Sequence, residues 1–279
     1  MSSGLPQILD LIADGTHSYR VRHPDAAAEG RDVVFSGQIL AQMMMASEGE
    51  SDGTKVIRSV HAVFCRAGSY TKDITLSVDS MQAGRTWASD TVTAMQDGKL
   101  LSRATVLMNT VDDDLMRHEP TMPDVPTADG LTEQPGIVFP SAQWRVVPGT
   151  PELDGVPVHR AWHRFGSDVD SQAANQGILG WATCGNLIGL GMRPHSQLAQ
   201  IEEAHRTLST GVIAHTLHFL EPIDVSQWLL VQSKATKAAN GRIYGRGEVF
   251  TAQGQLVATF HQDSMAKAAA APLDYSRSM

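Results

Sequence analysis

The sequence predicts an α+β protein made of two copies of one domain in tandem. The first observation is a repeated order of motifs. A Gly-Gln-led apolar segment from Gly37 to Ser47 is followed by a His-led strand from His61, a Gly84-Arg85 turn and a β run through Ala104-Thr105. After a Pro-rich break the order returns: an apolar segment from Gln176 to Leu190, a strand from His215, Gly241-Arg242 and a run through Ala258-Thr259. A period this long is a whole domain, not a solenoid unit. The second observation is size, since 279 residues suit two ordinary domains better than one core. Two such copies facing one another create a cleft, where a site forms once per chain.

The elements follow in order. Leu5 to Ala13 reads as a short amphipathic helix, with Leu5, Ile8, Leu9 and Ile12 at helical spacing. A long helix is expected from about Ser36 to Ser47, its stripe being Ile39, Leu40, Met43 and Met44, with Gly49 as the stop signal. Strands are expected at Val56 to Phe64, Ile74 to Val78, Thr86 to Met95 and Leu100 to Met108. Asp97-Gly98 between the last two is a hairpin turn signal. Residues 112–140, acidic and then rich in proline, read as a linker between a first domain at 1–111 and a second at 141–267. The second helix is expected from Asp170 or Ser171 to Leu190, and its strands at 213–219, 228–231, 243–249 and 256–262. The end of the chain, 268–279, reads as a flexible tail.

Composition narrows the function. Hydrophobic residues make up 42% and charged residues 19%, with a net charge of −8, so a nucleic-acid surface is not expected. No apolar run reaches membrane-spanning length, and the N-terminus lacks a secretory signal pattern. Two cysteines, Cys65 and Cys184, make neither a disulfide framework nor a zinc site, and the cytoplasm is the expected location. Nucleotide fingerprints, a P-loop and a G-x-S-x-G elbow are missing from the sequence. No histidine spacing suggests a metal, and His215 and His218, three apart on a strand, fall on opposite faces.

Val34 to Gln38, His61 to Gly68, Thr121 to Leu131, Ile178 to Ala182, His215-Thr216, Gly241-Arg242 and Leu256 to Gln262 together resemble the type II acyl-CoA thioesterases. The resemblance implies a double hot-dog fold, each half being an antiparallel sheet wrapped around a long helix. It implies an acyl-CoA ligand, hydrolysis by a directly activated water, no cofactor or metal, and a homo-oligomer. It also implies a catalytic set of an Asp on the second helix, a Thr or Ser on the strand before the His, and a Gln on the last strand. The Gln falls on Gln262. The Asp falls on Cys184 and the Thr on Val212, with Thr210 two residues earlier. Cys184, Thr210 and Gln262 are therefore the catalytic candidates, and Asn186, His215 and Arg242 the substrate-binding candidates.

Chemistry weighs this set. Hydrolysis needs a base for the attacking water and donors for the oxyanion. A Gln amide can orient water but not take its proton, and a thiol near its ordinary pKa is mostly protonated at neutral pH. Losing the carboxylate removes on the order of 100- to 10,000-fold in rate. Two readings follow: a thioesterase-type protein with an altered catalytic set, or an acyl-CoA-binding or interaction protein that kept the cleft. A hydratase of the same fold ranks last, because Ala174 to Met192 carries neither Asp nor His.

Overall fold

The computed structural model describes residues 8–21, 23, 32–134, 142–149, 152–166, 169, 171–195 and 208–269. In the first half, β1 (Leu11–Ala13) and β2 (Ser18–Val21) form a small hairpin ahead of α1 (Ser36–Gly49). Strands β3 (Val56–Phe64), β4 (Ile74–Ala83), β5 (Trp87–Gln96) and β6 (Lys99–Asn109) follow. The second half has β7 (Glu133–Gln134), β8 (Ala142–Val146), β9 (Glu152–Leu153) and β10 (Val156–Phe165) before its helices α2 (Gln172–Thr183) and α3 (Asn186–Met192). It closes with β11 (Leu208–Phe219), β12 (Leu229–Ala239), β13 (Arg242–Thr251) and β14 (Leu256–Ala268).

The tandem α+β architecture is present, and the two half-sheets are one. Strand order is β1-β2-β4-β5-β6-β3-β11-β14-β13-β12-β10-β8-β7, with β9 on β10, in a 14-stranded sheet. The halves join where β3 pairs antiparallel with β11. The helices pack against each other inside the curve of the sheet. Leu40, Met43, Met44, Ile178 and Leu179 are fully buried in one core shared by both halves. The Met43-Met44 pair is thus core packing. Gly37 makes the helix contact possible: a Cβ there would lie 2.8 Å from the Trp181 carbonyl and 3.0 Å from Cys184 Cβ.

Three expectations change. Leu11–Ala13 is strand, not helix, because Gly15 and His17 at positive φ turn the chain into a hairpin with β2; Ile8 and Leu9 alone are helical, and residues 1–7 lie outside those described. The second long helix is two: Cys184 leaves helical geometry at ψ 130° and Gly185 takes φ 96°, so α2 ends and α3 starts anew. Asp170, offered as one start of that helix, lies outside the described residues, and Ser171 is the N-cap, its hydroxyl accepting from Ala174 N–H. His61 and His215 do not mark equivalent positions. Register places His61 opposite Thr216 and His215 opposite Ala62, and a shift of one residue exchanges faces. His61 is exposed and bonded to Thr216 Oγ1 at 2.6 Å, whereas His215 is fully buried.

The Pro-rich segment runs along the second half and is fastened to it. Trp162 Nε1 donates to the Pro126 carbonyl at 2.9 Å, Leu256 N–H to Glu119 at 2.8 Å, and Arg117 pairs with Glu221 at 2.8 Å. Most of the expected tail, 270–279, lies outside the described residues, and β14 itself extends to Ala268.

Candidate functional site

The helix break and the N-terminus of α1 meet. Val34 bridges to Gly68, and Phe35 N–H donates to the Tyr70 hydroxyl at 3.3 Å, which fixes where α1 begins. The Gln38 and Ile39 N–H groups donate to the Phe35 carbonyl at 3.0 and 3.3 Å, while those of Ser36 and Gly37 have no intrahelical acceptor and give that end a partial positive charge. Ser36, in the first turn, places its Oγ 3.3 Å from Cys184 Sγ.

Gln262 comes to the same point from β14. Its Oε1 accepts from Gly185 N–H at 2.8 Å, so the strand holds the reversed backbone of the break. Its Nε2 donates to Ser264 Oγ at 2.8 Å. Gln262 and Ser264 are both fully buried. His215 is Gln262's direct partner across the β11–β14 ladder, and its Nε2 lies 3.2 Å from Thr183 Oγ1. Because the Thr183 hydroxyl donates to the Leu179 carbonyl at 3.0 Å, the imidazole donates to Thr183. The His215 Nδ1 is buried with no hydrogen-bond partner among the described residues.

Electrostatics sets the protonation states. Burial pushes the Cys184 thiol up to about 12, against the smaller opposing effect of its Ser36 hydrogen bond. It is a neutral thiol, and a thiolate is the nucleophilic form. Burial, then the nearby His261, lowers His215 to about 3, while Gln262 acts weakly in the other direction. His215 is therefore a neutral imidazole that positions Thr183.

Of the six candidates, the structure gathers Cys184, Gln262 and His215. Thr210 pairs with Ala266, roughly 13 Å up β14 from Gln262 at the rise of a strand, and a bulge between Val212 and Ala214 interrupts the face between. Asn186 is exposed and turns its amide to the Ala182 carbonyl at 2.9 Å, bridging the break. Arg242 is exposed and ion-paired with Asp263. Three contributors went unread in the sequence: Ser36, Thr183 and Ser264. Ser264 stands opposite Val212 in register, so a hydroxyl missing from β11 is supplied to Gln262 from within β14. Among the described residues no cluster of His, Cys, Asp and Glu could hold a metal.

The geometry can polarise a carbonyl at the α1 N-terminus and position a neighbouring group through a Gln amide. It contains no carboxylate to take a proton.

Comparison with known proteins agrees with this frame. Residues 23–109 match the family model for the acyl-CoA thioesterase N-terminal domain, and residues 117–266 that for the C-terminal domain. The chain is similar to acyl-CoA thioesterase 2 of Haemophilus influenzae, 22% identical over 253 residues, covering 83% of this chain and 87% of that protein. Against mouse acyl-coenzyme A thioesterase 8 the identity is 21% over 280 residues, covering 92% and 87%. Its fold is similar to that of acyl-CoA thioesterase II TesB2 from Mycobacterium marinum, with a TM-score of 0.83 at 22% identity over 96% of this chain and 99% of that one.

Proposed function

Because the chain belongs to the type II acyl-CoA thioesterase family, we propose that it binds acyl-CoA with the thioester carbonyl at the N-terminus of α1. In this reading the carbonyl oxygen accepts from the backbone N–H groups of Ser36 and Gly37, where fixed dipoles favour the developing negative charge. Gln262, held by Gly185 and Ser264, presents its remaining amide hydrogen to the reacting group. The observation that carries the reading is the closed set of Ser36, Cys184, Gly185 and Gln262, which couples both halves at one point and supplies donors but no base. Hydrolysis at this centre is accordingly slow, by about 100- to 10,000-fold relative to a centre with a carboxylate.

The test sets hydrolysis of short, medium and long acyl-CoAs beside direct binding of a non-hydrolysable thioether analogue. Binding with weak turnover is expected. Failure of every acyl-CoA to bind would refute the reading. Binding without any turnover would favour the second one, a non-catalytic acyl-CoA-binding protein, for which the substitution at Cys184 speaks.

We further propose a cytoplasmic homo-oligomer. Support for the location is the pair of free cysteines, and no described helix is long and apolar enough to cross a membrane. Light scattering giving a monomer near 30.1 kDa at all concentrations would remove the oligomer.

A further inference from the structure

The two helices are related by a local twofold axis, which the contacts between them reveal. A Cβ on Gly177 would lie 3.8 Å from Ala41, and one on Gly180 would lie 3.3 Å from Met44. Counted from the N-caps Phe35 and Ser171, Ala41 and Gly177 are equivalent, as are Met44 and Gly180. Near the axis these residues meet their own counterparts, as a twofold requires there, while farther out Gly37 meets Trp181 and Cys184.

On the same count Ser47 stands where Thr183 stands, and Glu48 where Cys184 stands. Ser47 and Thr183 are both fully buried. Thr183 is linked to His215, but Ser47 donates to Asp90 Oδ2 at 2.5 Å. Asp90 pairs with Val106 on β6, as Gly245 pairs with Gln262 on β14. At Gly245 a Cβ would come within 2.6 Å of Leu187, so α3 fills that space in the second half. In the first half, α1 stops at Gly49 and the chain passes directly to β3. Across the helix pair, Gln172 holds the place of Ser36, and its Nε2 is a buried donor without a hydrogen-bond partner among the described residues. The half-site opposite Cys184 therefore has what the 184 site lacks, a carboxylate, together with an unused donor.

We propose that the hydrolytic centre lies in the N-terminal half, with Glu48 as general base for water attack on the acyl-CoA thioester. This rests on the reading that the chain binds acyl-CoA, and sets beside the slow half-site at the α1 N-terminus a second thioester site at the other end of that helix, where turnover occurs. Glu48 takes one proton from the water as its oxygen bonds to the thioester carbon, and Gln172 Nε2 donates to the resulting oxyanion. Collapse breaks the carbon–sulfur bond, and the departing CoA thiolate recovers the proton from Glu48, giving free acid and CoA thiol. Ser47 and Asp90 are positioning residues that fix the last turn of α1. Burial holds the Glu48 carboxyl above its usual range, the direction that improves a base near neutral pH.

The experiment compares wild type with Glu48→Gln, Glu48→Asp and the control Glu50→Gln, whose carboxylate is bonded to Tyr19 and His17. Turnover, analogue binding and melting temperature are measured for each. Expected for Glu48→Gln is a loss of at least about 100-fold in kcat with unchanged binding. Glu48→Asp should keep part of kcat and the acid limb of the pH profile, and the control should match wild type. Wild-type turnover surviving in Glu48→Gln, or a wild type that binds acyl-CoA without turning it over, would overturn the assignment and leave the binding reading standing. A wild type that binds no acyl-CoA would overturn both.

Discussion

Placing a carboxylate at position 184 should convert the second half into a hydrolytic centre. The substitution is Cys184→Asp with Val212→Thr, made in the Glu48→Gln background so that the first half adds nothing. Cys184 is 3% exposed, and an unpaired carboxylate there would cost several kcal/mol in lost hydration. Two local features offset part of that. Ser36 Oγ, 3.3 Å from the present sulfur, can donate to it, and a hydrogen bond to a charged group is worth about 1.5–3 kcal/mol. The N-terminus of α1 adds about 0.3–1 kcal/mol, more when partly buried. A net cost of about 1–3 kcal/mol lowers the melting temperature by up to about 10 °C in a chain of this size. Against that cost, general-base help should raise kcat by about 100- to 10,000-fold over the background chain. The assay follows loss of thioester absorbance across pH, and a new acid limb should accompany the gain. Gln262→Ala added to this variant should abolish the gain while binding persists. A folded variant that binds the analogue but gains less than about tenfold would refute the site assignment.

Acid should weaken the fold through its buried histidines. His163 and His215 are lowered to about 3, in each case chiefly by burial. Unfolded imidazoles take up protons near pH 6.5, so below that pH the unfolded chain binds more protons and stability falls toward pH 3. At pH 5 the loss is on the order of 2 kcal/mol for each; a melting temperature flat between pH 7 and pH 5 would contradict it. The two cysteines should also separate in a thiol-labelling time course. Cys65 is exposed and Cys184 is buried with its thiol at about 12, so Cys65 should label in the native protein and Cys184 only after unfolding. Equal labelling rates would show that the break at 184–185 is open. Gly37→Ala, which sets a Cβ 2.8 Å from the Trp181 carbonyl, should cost about 1–3 kcal/mol, read as a lowered denaturation midpoint.

What the chain alone determined was local and periodic. Helix α1, strands β3 to β6 and β11 to β14, and the Asp97-Gly98 turn, with φ of 49° and 71°, follow from apolar spacing and turn residues that act within a few positions. Gln262, too, was legible as a candidate. The tertiary structure decided what depends on partners distant in sequence. Whether His61 or His215 faces the core is set by the β3–β11 register, and a single step in it reverses the answer. The break at Cys184–Gly185 overrides an apolar run that reads as continuous helix, because Gln262 from β14 takes up the Gly185 N–H. Glu48 looks in sequence like an ordinary acid near a helix end. Only the twofold packing of α1 on α2 makes it the counterpart of Cys184, since equivalence between two helices is a property of their contact and leaves no mark on either strand of sequence.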